Sequence, residues 1–159
     1  MSERAEALAK QYEQIIGELA ATIEKATPAQ WSATCGAEGW TVAATAHHLA
    51  AQLPLEREFI VAATEGAPPP TYTMADINSL NEKRAQEHAA CSKDDVLSLL
   101  RENTQSITAY VRGLSDAQLG ATAPLGLANG APVSGQQLIE GGVLIDHARG
   151  HLASIKAAG

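Results

Sequence analysis

Aromatic side chains are scarce in this 159-residue chain, at 4% of the sequence against 45% hydrophobic residues overall. A core with few rings has to be filled by Ala, Leu, Ile and Val, and those side chains suit closely packed helices. Cysteine is nearly absent too. Cys35 and Cys91 are the only two, far apart and without a paired-cysteine metal spacing. That pattern fits reduced structural thiols better than a disulfide framework, although two cysteines distant in sequence can still meet in space. Positive charge is in short supply, with 11 Lys and Arg against 18 Asp and Glu and a net charge of -7. Such a field repels phosphate backbones and anionic lipid surfaces, so neither nucleic acid nor membrane is expected as a partner. The opening Met1-Ser2-Glu3-Arg4-Ala5-Glu6 is charged and amphipathic, no apolar signal region is present, and no later run reaches the length of a membrane span. The sequence therefore predicts a cytoplasmic protein.

The length suits one domain with a real core and does not argue for two, so residues 1–159 read as a single unit. Ser2 is placed to cap a first helix, in which Leu8, Tyr12, Ile15, Ile16, Leu19 and Ile23 recur every three or four residues to about Lys25. Thr27-Pro28-Ala29-Gln30-Trp31 reads as a short helical turn with Thr27 capping and Pro28 first. A second helix is expected from about Thr41 to about Thr64, kinked at Pro54 and closed by Gly66-Ala67-Pro68-Pro69-Pro70. A third runs from about Thr73 to about Ala90, and a fourth, capped by Ser92, carries Val96, Leu97, Leu100, Ile107, Tyr110, Val111 and Leu114, the two patterns also allowing one bent unit. A Gly, Pro and Ala-rich connection follows to residue 133, and Ser134 caps a last helix from about Gly135 to Ala157. No hairpin signal or strand-like alternation rises above the helical pattern. The predicted fold is all-α, a four-helix bundle with one short extra helical segment.

Chemistry concentrates in three histidines. His147 and His151 stand four residues apart, one above the other on a helix face. At 100° per residue His48 shares a stripe with Leu55 and Phe59, whereas its neighbour His47 falls with Ala43, Ala51, Pro54 and Glu58. His48 is thus the inward one, and His147 and His151 share the arc of Val143, Leu144 and Ile155. A lone inward histidine is most often a buried ring satisfied by a hydrogen bond. A helical pair joined by a third inward ring instead offers three ligands for one divalent ion with a coordination position open. The segment His147-Ala148-Arg149-Gly150-His151 lacks the glutamate that follows the first histidine of metalloprotease helices, which removes that mechanism's general base.

Other positions carry weaker signals. Ile77, Asn81, Arg84 and His88 fall within a narrow helical arc. Facing a pocket, Asn81 could bind a polar group and Arg84 a carboxylate of a cofactor or substrate; the alternative is a solvated face with Ile77 at its buried end. Glu140 lies on the side of His147 but about 10 Å away by helical rise. Trp31 and Trp40 read as core anchors.

The motif Trp40-Thr41-Val42, six residues and then His48-Leu49-Ala50, together with His147-Ala148-Arg149-Gly150-His151-Leu152, resembles the DinB-like superfamily over nearly the whole chain. Members include metal-dependent hydrolases, thiol-dependent transferases and the metal-binding domain of mycothiol-dependent maleylpyruvate isomerase. The resemblance implies a four-helix bundle holding a divalent metal, commonly zinc or nickel, with His48, His147 and His151 as ligands. It also implies a low-molecular-weight thiol as a possible second cofactor.

Two functions compete at this stage. One is a metal-dependent transferase or hydrolase in which a metal-activated thiol or water attacks a small-molecule substrate, with no protein nucleophile required. The other is a non-catalytic metal- or thiol-binding module of stress responses. An open coordination position beside a pocket favours the enzyme, and a fourth protein ligand favours the structural role. Alanine-rich helices permit close packing, and symmetric pairs are the commonest soluble oligomers, so a homodimer is expected. Sedimentation at micromolar concentration should show it; a clean monomer overturns the expectation.

Overall fold

The computed structural model describes residues 2–158. The first helix, α1, spans Glu3–Lys25 and is capped by Ser2, whose Oγ accepts from Ala5 N at 3.0 Å. Its apolar stripe is the one the periodicity predicts, with Leu8, Tyr12, Ile15, Ile16, Leu19 and Ile23 all buried. A single turn, α2 at Pro28–Trp31, carries a capping box between Thr27 and Gln30. The following helices are α3 at Val42–Ala51, α4 at Leu53–Glu65, α5 at Met74–Glu87 and α6 at Lys93–Arg112. Then come a short α7 at Asp116–Gly120, strands β1 at Thr122–Pro124 and β2 at Pro132–Ser134, α8 at Gly135–Glu140 and α9 at Ile145–Ala157. The bundle is formed by α1, the bent α3–α4 rod, α6, and α8–α9. In it α1 packs on α6 and α9, α3 packs on α6 and α9, and α4 packs on α6 and α8. The fifth helix, α5, is the extra segment and lies against α3. None of the described helices is long and apolar enough to cross a membrane.

The bend between α3 and α4 has a local cause. The backbone ladder continues through it, with Gln52 N donating to His48 O and Glu56 N to Gln52 O, each at 3.0 Å. Pro54 has no N–H to give to the carbonyl four residues earlier, so Ala50 O is orphaned within the helix. Asn103 on α6 supplies the missing donor, its Nδ2 lying 2.8 Å from Ala50 O. The rod therefore kinks without leaving a buried carbonyl unsatisfied.

Two expectations need correction. The last helix is not continuous: it breaks between Glu140 and Ile145, where Gly141 O accepts from both Asp146 N and His147 N. The glycine pair Gly141 and Gly142 supplies the freedom for this break, which the single capping signal at Ser134 did not disclose. The connection before it contains a two-stranded antiparallel sheet, with Ala123 opposite Val133. Proline at Pro124 and Pro132 hides that pairing from any alternation rule. The third and fourth helices, which the sequence also allowed as one bent unit, are separate, and α5 ends at Glu87 with His88 as its cap.

At the junction of β2 and α8, Gly135 is buried where a Cβ would lie 2.4 Å from Thr64 Cγ2 and 3.3 Å from Gln118 O. Thr64 cannot rotate away freely, because its Oγ1 lies 2.9 Å from Ile60 O and 2.7 Å from Tyr110 Oη. Gly135→Ala is expected to lower stability by about 1–3 kcal/mol through overpacking. An unchanged denaturant midpoint would show that α8 can shift at no cost.

Candidate metal centre

Two helices, α3 and α9, bring three histidines together. His48 lies near the end of α3, 7% exposed, and His147 and His151 project from the first turns of α9. Their ring nitrogens converge: His147 Nε2 is 3.0 Å from His48 Nε2 and 3.1 Å from His151 Nε2. One nitrogen from each ring falls within 4.8 Å of the others. The helix-face assignment distinguishes the adjacent rings correctly, since His47 points elsewhere and stacks on His88 with centroids 3.6 Å apart.

Two carboxylates decide which nitrogen faces inward. His147 Nδ1 lies 3.1 Å from Glu56 Oε1, and His151 Nδ1 lies 2.9 Å from Glu38 Oε1. A carboxylate accepts hydrogen bonds, so in each neutral ring Nδ1 carries the proton and Nε2 presents a bare lone pair. His147 and His151 thus turn two lone pairs on each other at 3.1 Å, which is repulsive alone and favourable around a cation. Tetrahedral bonds of 2.0–2.1 Å to one zinc ion would space such nitrogens by about 3.3 Å. The donor set therefore fits a divalent ion.

The surroundings are dry. Side-chain exposure is 8% at both Glu38 and Glu56. Burial first, then the neighbouring His147 and His151, depresses the His48 pKa to about 2. Burial and His147 lower that of His151, against the opposing pull of Glu38. Burial raises Glu56, and its hydrogen bond with His147 offsets part of that rise. The shifts of His48 and His151 both favour the neutral imidazole, the form that ligates.

Local sequence explains how the acids arrive. Glu56, in the first turn of α4, lines the same cavity as His48. Glu38 comes from a tight loop closed by Cys35 N to Trp40 O at 2.8 Å and Gly39 N to Cys35 O at 2.9 Å, with Gly39 at φ +72°. A left-handed residue is needed there, and glycine supplies it without strain. The same loop brings Trp40 over the site. Its ring stacks on His151 with centroids 6.2 Å apart, meets His48 edgewise at 5.4 Å, and its Nε1 donates to Glu82 Oε2 on α5 at 2.9 Å. Trp40 is therefore a wall of the site and not a core anchor, whereas Trp31 packs against the core and donates Nε1 to Cys91 O.

A cavity of about 430 Å³ opens beside the histidines, between them and α5. Asn81 lines it. Arg84 stands behind the wall, its Nη1 donating to Oε1 of the lining residue Gln52 at 2.8 Å. Glu140 is exposed and bonded to Gln136, away from His147. The acids that do contact the rings are Glu38 and Glu56. Glu56, eight residues after His48, falls about 80° from it on the helix wheel, and that was the available signal. Glu38 sits in an irregular loop, where no periodicity could have pointed to it. Both cysteines are free, and burial pushes the thiol of Cys35 up in pKa.

Comparison with known proteins agrees with this architecture. YfiT of Bacillus subtilis, described as a probable metal-dependent hydrolase with an unusual four-helix bundle topology, superposes with a TM-score of 0.76 at 22% identity, covering 99% of this chain and 87% of that one. An uncharacterised protein of Clostridium difficile 630 gives 0.74 at 16% identity, over 99% and 96%. A mutant of the mycothiol-dependent maleylpyruvate isomerase gives 0.68 at 14%, over 94% of this chain and 62% of that one. At these identities the likeness establishes a shared fold. No curated protein matches the sequence. A family model for the mycothiol maleylpyruvate isomerase N-terminal domain matches residues 12–140, a span that includes His48 and stops before His147. The chain accordingly belongs to the mycothiol maleylpyruvate isomerase N-terminal domain family, within the DinB-like superfamily.

Proposed function

We propose that the chain is a metal-dependent transferase or hydrolase of a small molecule, with His48, His147 and His151 as the ligands of one divalent ion, zinc or nickel. The observation that carries this reading is the facing pair of bare Nε2 lone pairs, each imposed by a carboxylate on the far side of its ring. When bound, the ion would lower the pKa of a coordinated water or low-molecular-weight thiol and so supply an anionic nucleophile near neutral pH. Glu38 and Glu56 hold the rings in the ligating tautomer. Trp40 shields one side of the cluster, and Asn81 is positioned to hold a substrate or thiol in the cavity. Arg84 acts at one remove by orienting Gln52. The convergent cluster consists of three side chains with the cavity beside them, which leaves room for an exchangeable ligand and supports turnover over a purely structural ion. The printed description of YfiT as a probable metal-dependent hydrolase supports the same reading.

Metal content of protein purified without a polyhistidine tag tests the assignment. His48→Ala, His147→Ala and His151→Ala should each remove most of the metal, while His47→Ala retains it. Glu38→Gln and Glu56→Gln should weaken metal affinity by about 10–100-fold. Metal that survives His151→Ala and is lost with His47→Ala would reverse the choice of ligands.

The buried rings also make the metal-free protein acid-sensitive. The folded-state pKa of His48 is depressed to about 2, so below an unfolded value of about 6.5 the unfolded chain takes up a proton that the folded chain does not. Stability is then full above that value and falls as pH drops, by about 1.4 kcal/mol per pH unit for each such proton. Denaturant titrations of metal-free protein between pH 6 and pH 4 should show a shallower dependence in His48→Gln. Identical slopes would contradict burial as the cause.

A further inference from the structure

One polar side chain at the cavity is held from one side only. Gln52 follows His48 by four residues, and its backbone N–H donates to His48 O at 3.0 Å. Helical side chains lean toward the N-terminus, so the Gln52 side chain lies over the turn that carries His48. The residue is 5% exposed and lines the cavity together with His48, His147 and His151.

Arg84 fixes which way the amide faces. Its Nη1 lies 2.8 Å from Gln52 Oε1, and a guanidinium only donates, so the oxygen is the end turned to it. Arg84 does not line the cavity, and the NH₂ group of Gln52 is turned away from it. The bond from Arg84 is the only hydrogen bond the Gln52 side chain makes among the described residues. Of those residues' side-chain atoms, Glu38 Oε2, Asn81 Oδ1 and Thr104 Oγ1 are enclosed without a partner. Gln52 Nε2 lacks a partner and is not one of them, so open space reaches it. For a residue this deeply placed, that space is the cavity it lines.

An amide held in a buried position with an unused donor is unfavourable unless something in the cavity accepts from it. The NH₂ group donates and cannot accept. It therefore suits an oxygen that only accepts, since a hydroxyl would bring a proton of its own to place. Phe59, Ile77, Leu127 and Val143 line the same space, so hydrocarbon flanks that oxygen.

We propose that Gln52 is the substrate-binding donor of this cavity: its Nε2 holds the carbonyl oxygen of an amide, ester or ketone beside the histidines. Arg84 is the positioning residue that keeps the NH₂ group turned to that oxygen. This rests on the reading of the three histidines as the reactive centre, since it sets a substrate's carbonyl next to them.

Acetophenone and ethylbenzene, alike in shape and different by one carbonyl oxygen, test the proposal by calorimetry on the full chain. Each is titrated into zinc-loaded protein and into protein stripped with chelator, with zinc measured on the same samples. Acetophenone should bind about tenfold more tightly than ethylbenzene in both forms. Gln52→Glu keeps the side-chain length and the bond from Arg84 but turns an oxygen to the cavity in place of the NH₂ group. It and Gln52→Leu should each erase the preference while ethylbenzene still binds. Infrared spectra of acetophenone isotope-labelled at its carbonyl read the hydrogen bond itself. The C=O stretch should lie lowest in the wild-type protein, highest in Gln52→Leu and between the two in Arg84→Leu, a shift that altered packing alone would not produce. Equal binding of the two probes overturns the proposal, as does failure of acetophenone to bind, a preference that survives both Gln52 variants, or a stretch that Gln52→Leu does not move. Protein that takes up no zinc but keeps the preference that depends on Gln52 refutes the metal reading and leaves the donor assignment standing. Zinc uptake with equal binding of the two probes does the reverse.

Discussion

Two imidazole–carboxylate hydrogen bonds govern this end of the molecule. By taking the Nδ1 protons of His147 and His151, Glu56 and Glu38 force both Nε2 lone pairs toward His48. His48 Nε2, 3.0 Å from His147 Nε2, can donate a proton to one of these lone pairs at most, whereas a cation accommodates them all. Burying those acids also requires backbone features that a bundle would not otherwise need. The tight loop around Gly39 exists at the position that delivers Glu38, and the bent α3–α4 rod delivers Glu56.

The kink illustrates how a local cost is settled by a distant residue. Pro54 removes one helical donor, and Asn103, contributed by another helix, replaces it at Ala50 O. The bonds on either side of Gln52 survive, so the helical ladder runs through the bend. His48 before the bend and Glu56 after it serve one site because the His147 ring spans them, its Nε2 3.0 Å from His48 Nε2 and its Nδ1 3.1 Å from Glu56 Oε1. The break between α8 and α9 works in the same sense at the other wall, bringing Gly142 and Val143 to the cavity and starting a new helix just ahead of His147.

The extra helix gives the site its sidedness. α5 adds no ligand to the cluster, yet Ile77, Asn78, Asn81 and Glu82 form the wall opposite the histidines. The bond from Trp40 Nε1 to Glu82 ties that wall to the loop bearing Glu38.

Periodicity and caps determined much of this protein before any coordinates. The stripes of α1 and α6, the caps Ser2, Thr27, Ser92 and Ser134, and the choice of His48 over His47 all follow from local backbone geometry, which repeats every 3.6 residues. The bend at Pro54 was legible for the same reason. Tertiary structure alone decided the rest. Glu38 acquires its role because a loop with no repeat folds back 113 positions in sequence from His151, and Asn103 acquires its role from a carbonyl on another helix. The β1–β2 pairing and the break at Gly141 depend on contacts across the chain, not on the pattern within it. A helix wheel can state which way a side chain points; what it meets there is set by segments the wheel does not contain.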